Sequence, residues 1–119
     1  MIEEESLVRA SLVALVTSWK GFHVVAEAAT KVEALEQFRR VHPDVVLLSI
    51  AGTEDATLVP EISRACGRTR LVVLLSHCPE DLRLVIAGLA NRVVAKTGHP
   101  EELKKAVEDV YGKAWTRKP

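Results

Sequence analysis

The sequence has little of several features that mark particular classes of protein. Aromatic residues make up 4% of its 119 residues, and its only cysteines are Cys66 and Cys78. Two cysteines do not form the disulfide framework of a small secreted domain, so we interpret them as free thiols in a reducing compartment. Basic and acidic residues number 16 each, for a net charge of zero. This balance does not favour a nucleic-acid-binding surface, which usually carries a basic excess.

Long apolar runs and targeting signals are also missing from the sequence. No apolar run approaches the roughly 20 residues that cross a bilayer. The start, Met1-Ile2-Glu3-Glu4-Glu5, is acidic and unlike a signal peptide, so we expect a cytoplasmic protein without membrane contact. No glycine-rich phosphate fingerprint follows any predicted strand, which disfavours a nucleotide-binding enzyme. The histidines and cysteines lack metal-ligand spacing, so we predict no metal site among them.

The sequence does contain enough apolar residues, 48%, for the core of one domain. Its most informative stretch is residues 44–50, where the run Val45-Val46-Leu47-Leu48 lies between a proline and a small polar loop. A short continuous apolar run predicts a strand buried on both faces. Ser49 stands at the carboxyl end of this strand. Open α/β sheets carry their chemistry at that edge, so the residue at position 49 bears directly on function.

Strand and helix patterns alternate along the whole chain. Strands are predicted over residues 22–28, 45–49, 71–75 and 92–96. Helices are predicted over residues 6–19, 60–65 and 80–90, between an N-cap at Thr30 and His42, and from Pro100 onwards. Glu33 completes a capping box with Thr30. This alternation predicts a parallel sheet with right-handed crossovers. Residues 1–3 would form a first strand, which is either truncated or unusually short.

The helical spacing of apolar residues predicts which faces of the helices are buried. In the first helix, Leu7, Val8, Leu12, Leu15, Val16 and Trp19 recur at helical spacing. The expected stripes of the later helices comprise Val32, Leu35 and Phe38; Leu82, Val85, Ile86 and Leu89; and Leu103, Ala106, Val107 and Val110. Trp19 and Trp115 lie at the ends of the first and last predicted helices. Each is either a packing residue or an anchor for an interface.

Several segments in this order resemble the receiver domain of response regulators, most closely receivers of LuxR/NarL-type transcription factors. They are Glu3-Glu4-Glu5-Ser6-Leu7-Val8-Arg9, Gly21–Ala28, Glu33-Ala34-Leu35, Pro43–Leu48, Val93–Lys96 and Pro100–Leu103. The resemblance implies a CheY-like, flavodoxin-like three-layer α/β sandwich whose five-stranded parallel sheet has the order 2-1-3-4-5. It implies a receiver domain over residues 1–115, with residues 116–119 beginning a linker to a DNA-binding output domain that this chain does not include.

The resemblance also assigns the family's functional positions to residues of this sequence. The metal-binding acidic pair falls on Glu3 and Glu4, the phosphate-binding lysine on Lys96, the phospho-accepting aspartate on Ser49, the hydroxyl switch residue on Leu75 and the aromatic switch residue on Val93. Only the acidic pair and the lysine are kept. Because phosphotransfer needs an anionic carboxylate and a divalent metal, a serine hydroxyl is a poor acceptor here. We therefore predict a pseudo-receiver.

Purely structural interpretations of the same residues stay open. Ser49 could simply pack at a strand end, and Glu3 and Glu4 could form a solvated acidic terminus. Lys96 could be a surface lysine, although a salt bridge from Lys96 to one of the glutamates is the expected arrangement. With one carboxylate of three lost, magnesium binding would be weak and no cofactor is expected.

Three functions compete at this point. The first is a phosphorylation-independent regulatory domain that is not an enzyme and acts through protein contacts. It would dimerise through its first or last helix. DNA would be bound only by an output domain, and a histidine kinase is a possible partner. The second is a receiver that still responds to a ligand, a metal or serine phosphorylation. The third is a small flavodoxin-like enzyme, which would need a cofactor motif or a nucleophile–base pair that the sequence does not show.

Overall fold

The structure is a computed structural model that describes residues 1–51, 55–76, 78–96 and 98–116, without the side chains of Asp55 and residues 112–116. Its helices and strands follow one another as α1 (Ser6–Thr17), α2 (Lys31–Arg40), β1 (Val45–Ile50), α3 (Leu58–Cys66), β2 (Arg70–Leu75), α4 (Glu80–Leu89), β3 (Arg92–Ala95) and α5 (Pro100–Thr116). The alternation predicted from the sequence is therefore present from α2 onwards.

The three strands form one parallel sheet in the order β1-β2-β3. β1 pairs with β2 from Val45↔Arg70 to Ile50↔Leu75, and β2 pairs with β3 so that Leu75 stands opposite Ala95. Five consecutive residues of β1 and five of β2 are buried. Burial of every residue means that both faces of the sheet are covered, as continuous apolar runs predict.

Two hydrophobic clusters cover the opposite faces of this sheet. Alternate residues Val46, Leu48 and Ile50 belong to the cluster that contains Ile62 of α3 and Ile86 of α4. The other cluster joins the remaining strand positions to α5, with the members Trp19, Leu47, Val72, Leu74, Val94, Leu103, Ala106, Val107 and Val110. The period-2 alternation of strand side chains thus produces a three-layer α/β sandwich.

Helix α2 begins with the predicted N-cap. The Thr30 Oγ1 accepts a hydrogen bond from the Glu33 N–H at 3.2 Å. The Glu33 carboxylate accepts in turn from the N–H of Ala29 at 2.8 Å, one residue before the position expected for a capping box. Two N–H groups are therefore satisfied at the start of this helix.

The predicted first and second strands are reduced to single-residue pairs. Ile2 forms isolated parallel bridges with Ala28 on one side and with Leu48 of β1 on the other. The prediction of a strand over residues 22–28 was therefore wrong in extent, although burial still alternates there, with Phe22, Val24 and Ala26 half-buried and the residues between them exposed. β-propensity alone does not produce a strand, because a strand needs a neighbour along its length.

Some of the predicted buried stripes are also corrected. Val32 and Val85 are 62% and 59% exposed, and Leu89 is exposed as well. In α2 the buried residue is instead Ala34, which is small enough to approach the core closely. The stripe of α5 is confirmed in full, since Leu103, Ala106, Val107 and Val110 are all buried.

Smaller differences concern element boundaries and Trp19. The predicted loop over residues 51–57 contains a 3₁₀ turn at Asp55–Thr57, and α3 begins at Leu58 instead of Pro60. Trp19 is buried and packs edge-on against Phe22, with ring centroids 5.7 Å apart, which confirms the packing role. The side chain of Trp115 lies outside the described residues. Within the described part of the chain, no helix has the length and apolar character needed to span a bilayer.

Candidate functional site

The candidate site lies at the carboxyl edge of the sheet, where backbone pairing brings the start of the chain beside the end of β1. The N–H of Ile2 donates to the Leu47 carbonyl at 2.8 Å, and the N–H of Ser49 donates to the Ile2 carbonyl, also at 2.8 Å. These two bonds fix Ile2 against β1. Glu3, the next residue, is thereby held beside Ser49.

The Glu3 carboxylate is the centre of a small buried cluster. Its Oε1 accepts a hydrogen bond of 2.5 Å from the Ser49 Oγ and one of 3.3 Å from the Lys96 Nζ. Its Oε2 accepts a bond of 2.9 Å from the N–H of Glu5. Both Glu3 and Ser49 are buried. The sequence predicted a salt bridge from Lys96 to one of the two glutamates, and the structure shows that its partner is Glu3.

Lys96 reaches this cluster from the residue directly after β3. Its N–H donates to the Leu75 carbonyl at 2.9 Å, which continues the pairing of β3 with β2. The Lys96 side chain is 20% exposed and that of Glu3 is 5% exposed. Because the pair is shielded from water, its attraction is stronger than that of a surface salt bridge. The charge of Glu3 is therefore compensated within the protein.

These contacts decide the ionisation of Glu3. Burial acts to raise the pKa of Glu3, but the hydrogen bonds from Ser49 and the Glu5 N–H, together with the charge of Lys96, outweigh it. The resulting pKa lies below the usual value of 4.5. Hydrogen bonds donated to a carboxylate favour its ionised form. Glu3 is thus a carboxylate at neutral pH, and both of its oxygens are occupied by donors.

Glu4, the second predicted acidic residue, is not part of the cluster. Its side chain is exposed, whereas Glu3 is buried. Sequence reasoning did not identify two other contributors: the Glu5 N–H, which binds the Glu3 carboxylate, and Arg9, whose guanidinium donates to the Glu3 carbonyl at 2.8 Å. Arg9 also pairs with Glu27 at 3.5 Å. In the sequence, the position of Arg9 one helical turn after Glu5 was the signal that could have identified Arg9 as a contributor.

The two predicted switch positions lie on neighbouring strands. Leu75 is buried at the end of β2, and Val93 is half-buried in β3 opposite Val73. Neither side chain carries a hydroxyl or a ring. Ser76, one residue later, is half-buried and its N–H donates to the Ile50 carbonyl at 3.3 Å.

The residues of this cluster do not fit a divalent metal. Within the described residues, no three His, Cys, Asp or Glu side chains come together as ligands. Magnesium favours several hard oxygen ligands in an octahedral arrangement. Here the one buried carboxylate already accepts from Ser49, Glu5 and Lys96, so a metal would have to displace the lysine and the hydroxyl.

Both cysteines are free, and the thiol of Cys66 is unreactive. Cys66 is buried at the end of α3, and burial raises the pKa of its thiol to about 11. A thiol with so high a pKa holds almost no nucleophilic thiolate at neutral pH. Cys66 is therefore a packing residue of the core.

The parallel sheet and its covering helices define the fold class of this chain. The fold is that of a CheY-like receiver domain, and the homologues of the chain are response regulators. No protein-family model matches the sequence.

Two of these homologues show how far the similarity extends. The chain is 28% identical to response regulator UvrY of Escherichia coli over 115 residues, which are 93% of this chain and 52% of that protein. It is 28% identical to response regulator GacA of Pseudomonas aeruginosa over 117 residues, 93% of this chain and 53% of that protein. The chain thus spans about half the length of the curated relatives that it matches.

Solved receiver structures superpose closely on this chain. A LuxR-family two-component response regulator from Aurantimonas gives a TM-score of 0.81 at 26% identity and covers 94% of this chain and 82% of its own. The signal receiver domain of the response regulator NarL from Mycobacterium tuberculosis gives 0.77 at 24% identity and covers 93% and 92%. The second comparison, below 25% identity, supports the fold alone.

Proposed function

We propose that this chain is a pseudo-receiver, the regulatory module of a LuxR/NarL-type transcription regulator that acts without aspartyl phosphorylation. Ser49 in place of the acceptor carboxylate is the observation that carries the proposal. Its hydroxyl donates to Glu3 at 2.5 Å and is buried, so it is neither ionised nor presented to a phosphodonor. Such a domain signals through contacts and is not an enzyme in the ordinary sense.

The salt bridge between Lys96 and Glu3 supports the same proposal. In a phosphorylation-dependent site, a lysine has to be available for the incoming phosphoryl group. Here the Lys96 ammonium already has a buried carboxylate partner, that of Glu3, at 3.3 Å. Breaking a buried pair leaves an uncompensated charge, which costs several kcal/mol. The salt bridge therefore keeps Lys96 paired with Glu3 and unavailable to a phosphoryl group. On this proposal Glu3, Ser49 and Lys96 are relict positions of the pocket, as are the exposed Glu4 and the switch positions Leu75 and Val93.

The complete strand order and domain organisation belong to the proposal as well. The bridges of Ile2 to Ala28 and to Leu48 support an order of 2-1-3-4-5, in which residues 1–3 lie between residues 22–28 and β1. We propose a receiver domain over residues 1–115 and a linker from residue 116 to a DNA-binding output domain. Relatives about twice as long as this chain support that organisation. A cytoplasmic location and a possible histidine kinase partner follow from the same class.

The experiment that tests the proposal is incubation with acetyl phosphate and Mg²⁺, read by intact mass and by NMR. We expect no added phosphoryl mass and no shift changes at the amides of Ser49 and Lys96. Beryllofluoride with Mg²⁺ should leave the same amides unchanged. A stable phosphoryl adduct on the wild-type chain, or metal-dependent shifts at both amides, would support a receiver that still responds to phosphate and would overturn the proposal.

Ser49→Asp provides the matched positive control. The substitution returns a carboxylate to the acceptor position, next to that of Glu3. Two neighbouring carboxylates repel one another, so the variant should be less stable than wild type in the absence of metal. Added Mg²⁺ should raise the melting temperature of the variant and leave that of the wild type unchanged. If both proteins respond equally to Mg²⁺, the identity of residue 49 is not what prevents metal binding.

Homodimerisation through α1 or α5 is the proposed mode of action. Leu7 of α1 is 79% exposed and Tyr111 of α5 is 40% exposed, so both helices present apolar surface. A contact between two copies of the chain through these helices would bury the two side chains.

A further inference from the structure

The edge of the sheet opposite the Ser49 cluster collects basic residues, and all of them are arginines. Residues 39–45, 64–70 and 89–92 run from the last turns of α2, α3 and α4 into the strands that follow. These three segments contain a single acidic residue, Asp44. Their basic residues form what we term the arginine edge: Arg39, Arg40, Arg64, Arg68, Arg70 and Arg92. A chain whose net charge is zero therefore has one strongly basic edge.

Hydrogen bonds place the three segments of the arginine edge side by side. The N–H of Arg70 donates to the Asp44 carbonyl at 3.2 Å, which joins the second segment to the first. The N–H of Leu71 donates to the Asn91 Oδ1 at 2.7 Å, which joins the third segment to the second. Helices α2, α3 and α4 lie on one face of the sheet. Since packed helices lie about 10 Å apart, their ends form a row of about 20 Å.

Most of these arginines have no ionic partner within the described part of the chain. Arg92 pairs with Asp109 at 3.1 Å. The other ion pairs among the described residues include no arginine of this edge. Four of the five unpaired side chains, Arg39, Arg40, Arg64 and Arg68, are exposed. Their charges are therefore available to an anion that approaches this edge.

The helix dipole accounts for only part of this arrangement. Cations are favoured in the last turn of a helix, where Arg39, Arg40 and Arg64 lie. Arg68 lies in the turn after α3, and Arg70 is the first residue of β2. The Nε of Arg70 is buried and has no hydrogen-bond partner among the described residues. A buried donor without an acceptor is costly, so an acceptor supplied by a ligand would stabilise this side chain.

We propose that the arginine edge binds the phosphate backbone of double-stranded DNA, as a second contact beside that of the proposed output domain. Guanidinium groups match phosphate oxygens with paired donors, which favours arginine over lysine at such sites. A duplex carries one charge per roughly 1.7 Å of its axis, so a row of about 20 Å meets enough phosphates for five arginines. The choice of DNA rests on the proposed transcription regulator, whose output domain would keep DNA close to this edge.

The test is fluorescence anisotropy of a labelled duplex of about 20 base pairs, titrated with the full chain. Each phosphate contact contributes about −0.9 to the slope of log K against log salt concentration. Five contacts give a slope of about −4.5, which is a roughly 500-fold loss of affinity between 50 and 200 mM salt. A second duplex of unrelated sequence should bind equally well, because phosphate contacts carry no direct sequence information.

Two double variants with the same change in charge locate the contact. Arg40→Gln with Arg68→Gln removes two exposed arginines of the edge. We expect this variant to have a slope of about −2.7, a roughly 40-fold loss of affinity over the same salt range. Arg83→Gln with Lys105→Gln removes two exposed cations from the first halves of α4 and α5, towards the opposite edge, and should keep the parent slope. Circular dichroism checks that both variants are folded.

Two acidic residues test the effect of the opposite charge. Asp44→Asn removes the one carboxylate from the arginine edge and should tighten DNA binding severalfold. Glu4→Gln removes an exposed carboxylate near the Ser49 cluster and should leave DNA binding unchanged. In NMR spectra, the duplex should shift the amides of Arg68 and Arg70 and leave that of Ser49 in place.

Three results would overturn the proposal. The first is a chain that does not bind the duplex at 50 mM salt. The second is an equal change of slope in the two double variants, since binding would then follow total charge and not this edge. The third is self-association at low salt that Arg40→Gln with Arg68→Gln abolishes while the duplex does not bind, since the edge would then contact the acidic edge of a second copy. None of these results alters the acetyl phosphate test, which reads Ser49 and Lys96 at the other edge of the sheet.

Discussion

At the residue scale, Glu3 connects the start of the chain to the carboxyl edge of the sheet. Its carboxylate accepts from Ser49, Lys96 and the backbone of Glu5, and its carbonyl accepts from Arg9. A serine at position 49 changes the character of this edge. A second carboxylate at position 49 would place two like charges together and require a cation. The Ser49 hydroxyl instead donates a hydrogen bond to Glu3, and Lys96 neutralises the charge of Glu3.

The lowered pKa of Glu3 predicts how the stability of the domain changes with pH. A depressed native pKa means that the unfolded state binds the proton more readily. The contribution of Glu3 is fully present above its unfolded pKa of about 4.5. It is lost as the pH falls through the native pKa. Glu3→Gln, which keeps an oxygen acceptor but not the charge, should therefore show a smaller loss of stability below pH 4.5.

Urea denaturation between pH 3 and 7 measures this difference. Glu4→Gln, which removes the exposed neighbouring carboxylate, is the matched control. We expect the wild type and Glu4→Gln to lose stability in parallel with acid. A Glu3→Gln variant with the same acid profile as the wild type would show that the cluster does not stabilise the ionised carboxylate.

At the scale of the element, the start of α2 depends on one side chain. Thr30 accepts from the N–H of Glu33, one of the groups that a helix leaves unsatisfied at its start. Thr30→Ala should reduce the free energy of unfolding by about 1 kcal/mol, measured by chemical denaturation. Thr30→Ser keeps the oxygen and should lose much less. Equal losses in the two variants would mean that Thr30 contributes through its methyl group and not as a cap.

Strand β1 provides a second prediction at this scale. Leu48 is 1% exposed and belongs to the cluster that joins the sheet to α3 and α4. Leu48→Ala should cost about 3 kcal/mol of stability, because it removes buried apolar atoms and leaves a cavity. Leu84→Ala, at a position 65% exposed in α4, is the control and should stay within about 0.5 kcal/mol of wild type. Thermal and urea unfolding of the two variants measure both values.

At the scale of the whole molecule, the prediction concerns the proposed dimer. Light scattering coupled to gel filtration should give twice the monomer mass for the wild type. Leu7→Glu places a charge on the exposed face of α1 and should shift the mass toward the monomer. Leu84→Glu alters an equally apolar but different surface and should leave the dimer intact.

Other results of that measurement would contradict the proposed interface. Homodimerisation is removed from the proposal if the wild-type chain stays monomeric at high concentration and the full-length protein is monomeric as well. A dimer that Leu84→Glu disrupts and Leu7→Glu does not would place the interface on α4. The phosphorylation-independent reading of Ser49 does not depend on either result, since it rests on the cluster around Glu3.

The sequence determined the parts of this protein that depend on local pattern. The continuous apolar runs of β1 and β2 are strands because only a strand covered on both faces suits so many consecutive buried residues. The spacing of Leu103, Ala106, Val107 and Val110 was enough to predict the buried face of α5. The side chains around position 49 could also be anticipated, since parallel strands end at one edge and the family resemblance supplied their positions.

Tertiary structure alone decided which of those side chains meet. Glu3 and Glu4 are equivalent in the sequence, but the bridges of Ile2 direct Glu3 into the protein and leave Glu4 exposed. Residues 22–28 have strand composition, yet Ala28 is the one residue among them that forms a β-bridge, to Ile2. Val32 and Val85 fit helical stripes and are exposed, since burial depends on what a helix packs against. Such outcomes depend on contacts between distant residues, which no local pattern contains.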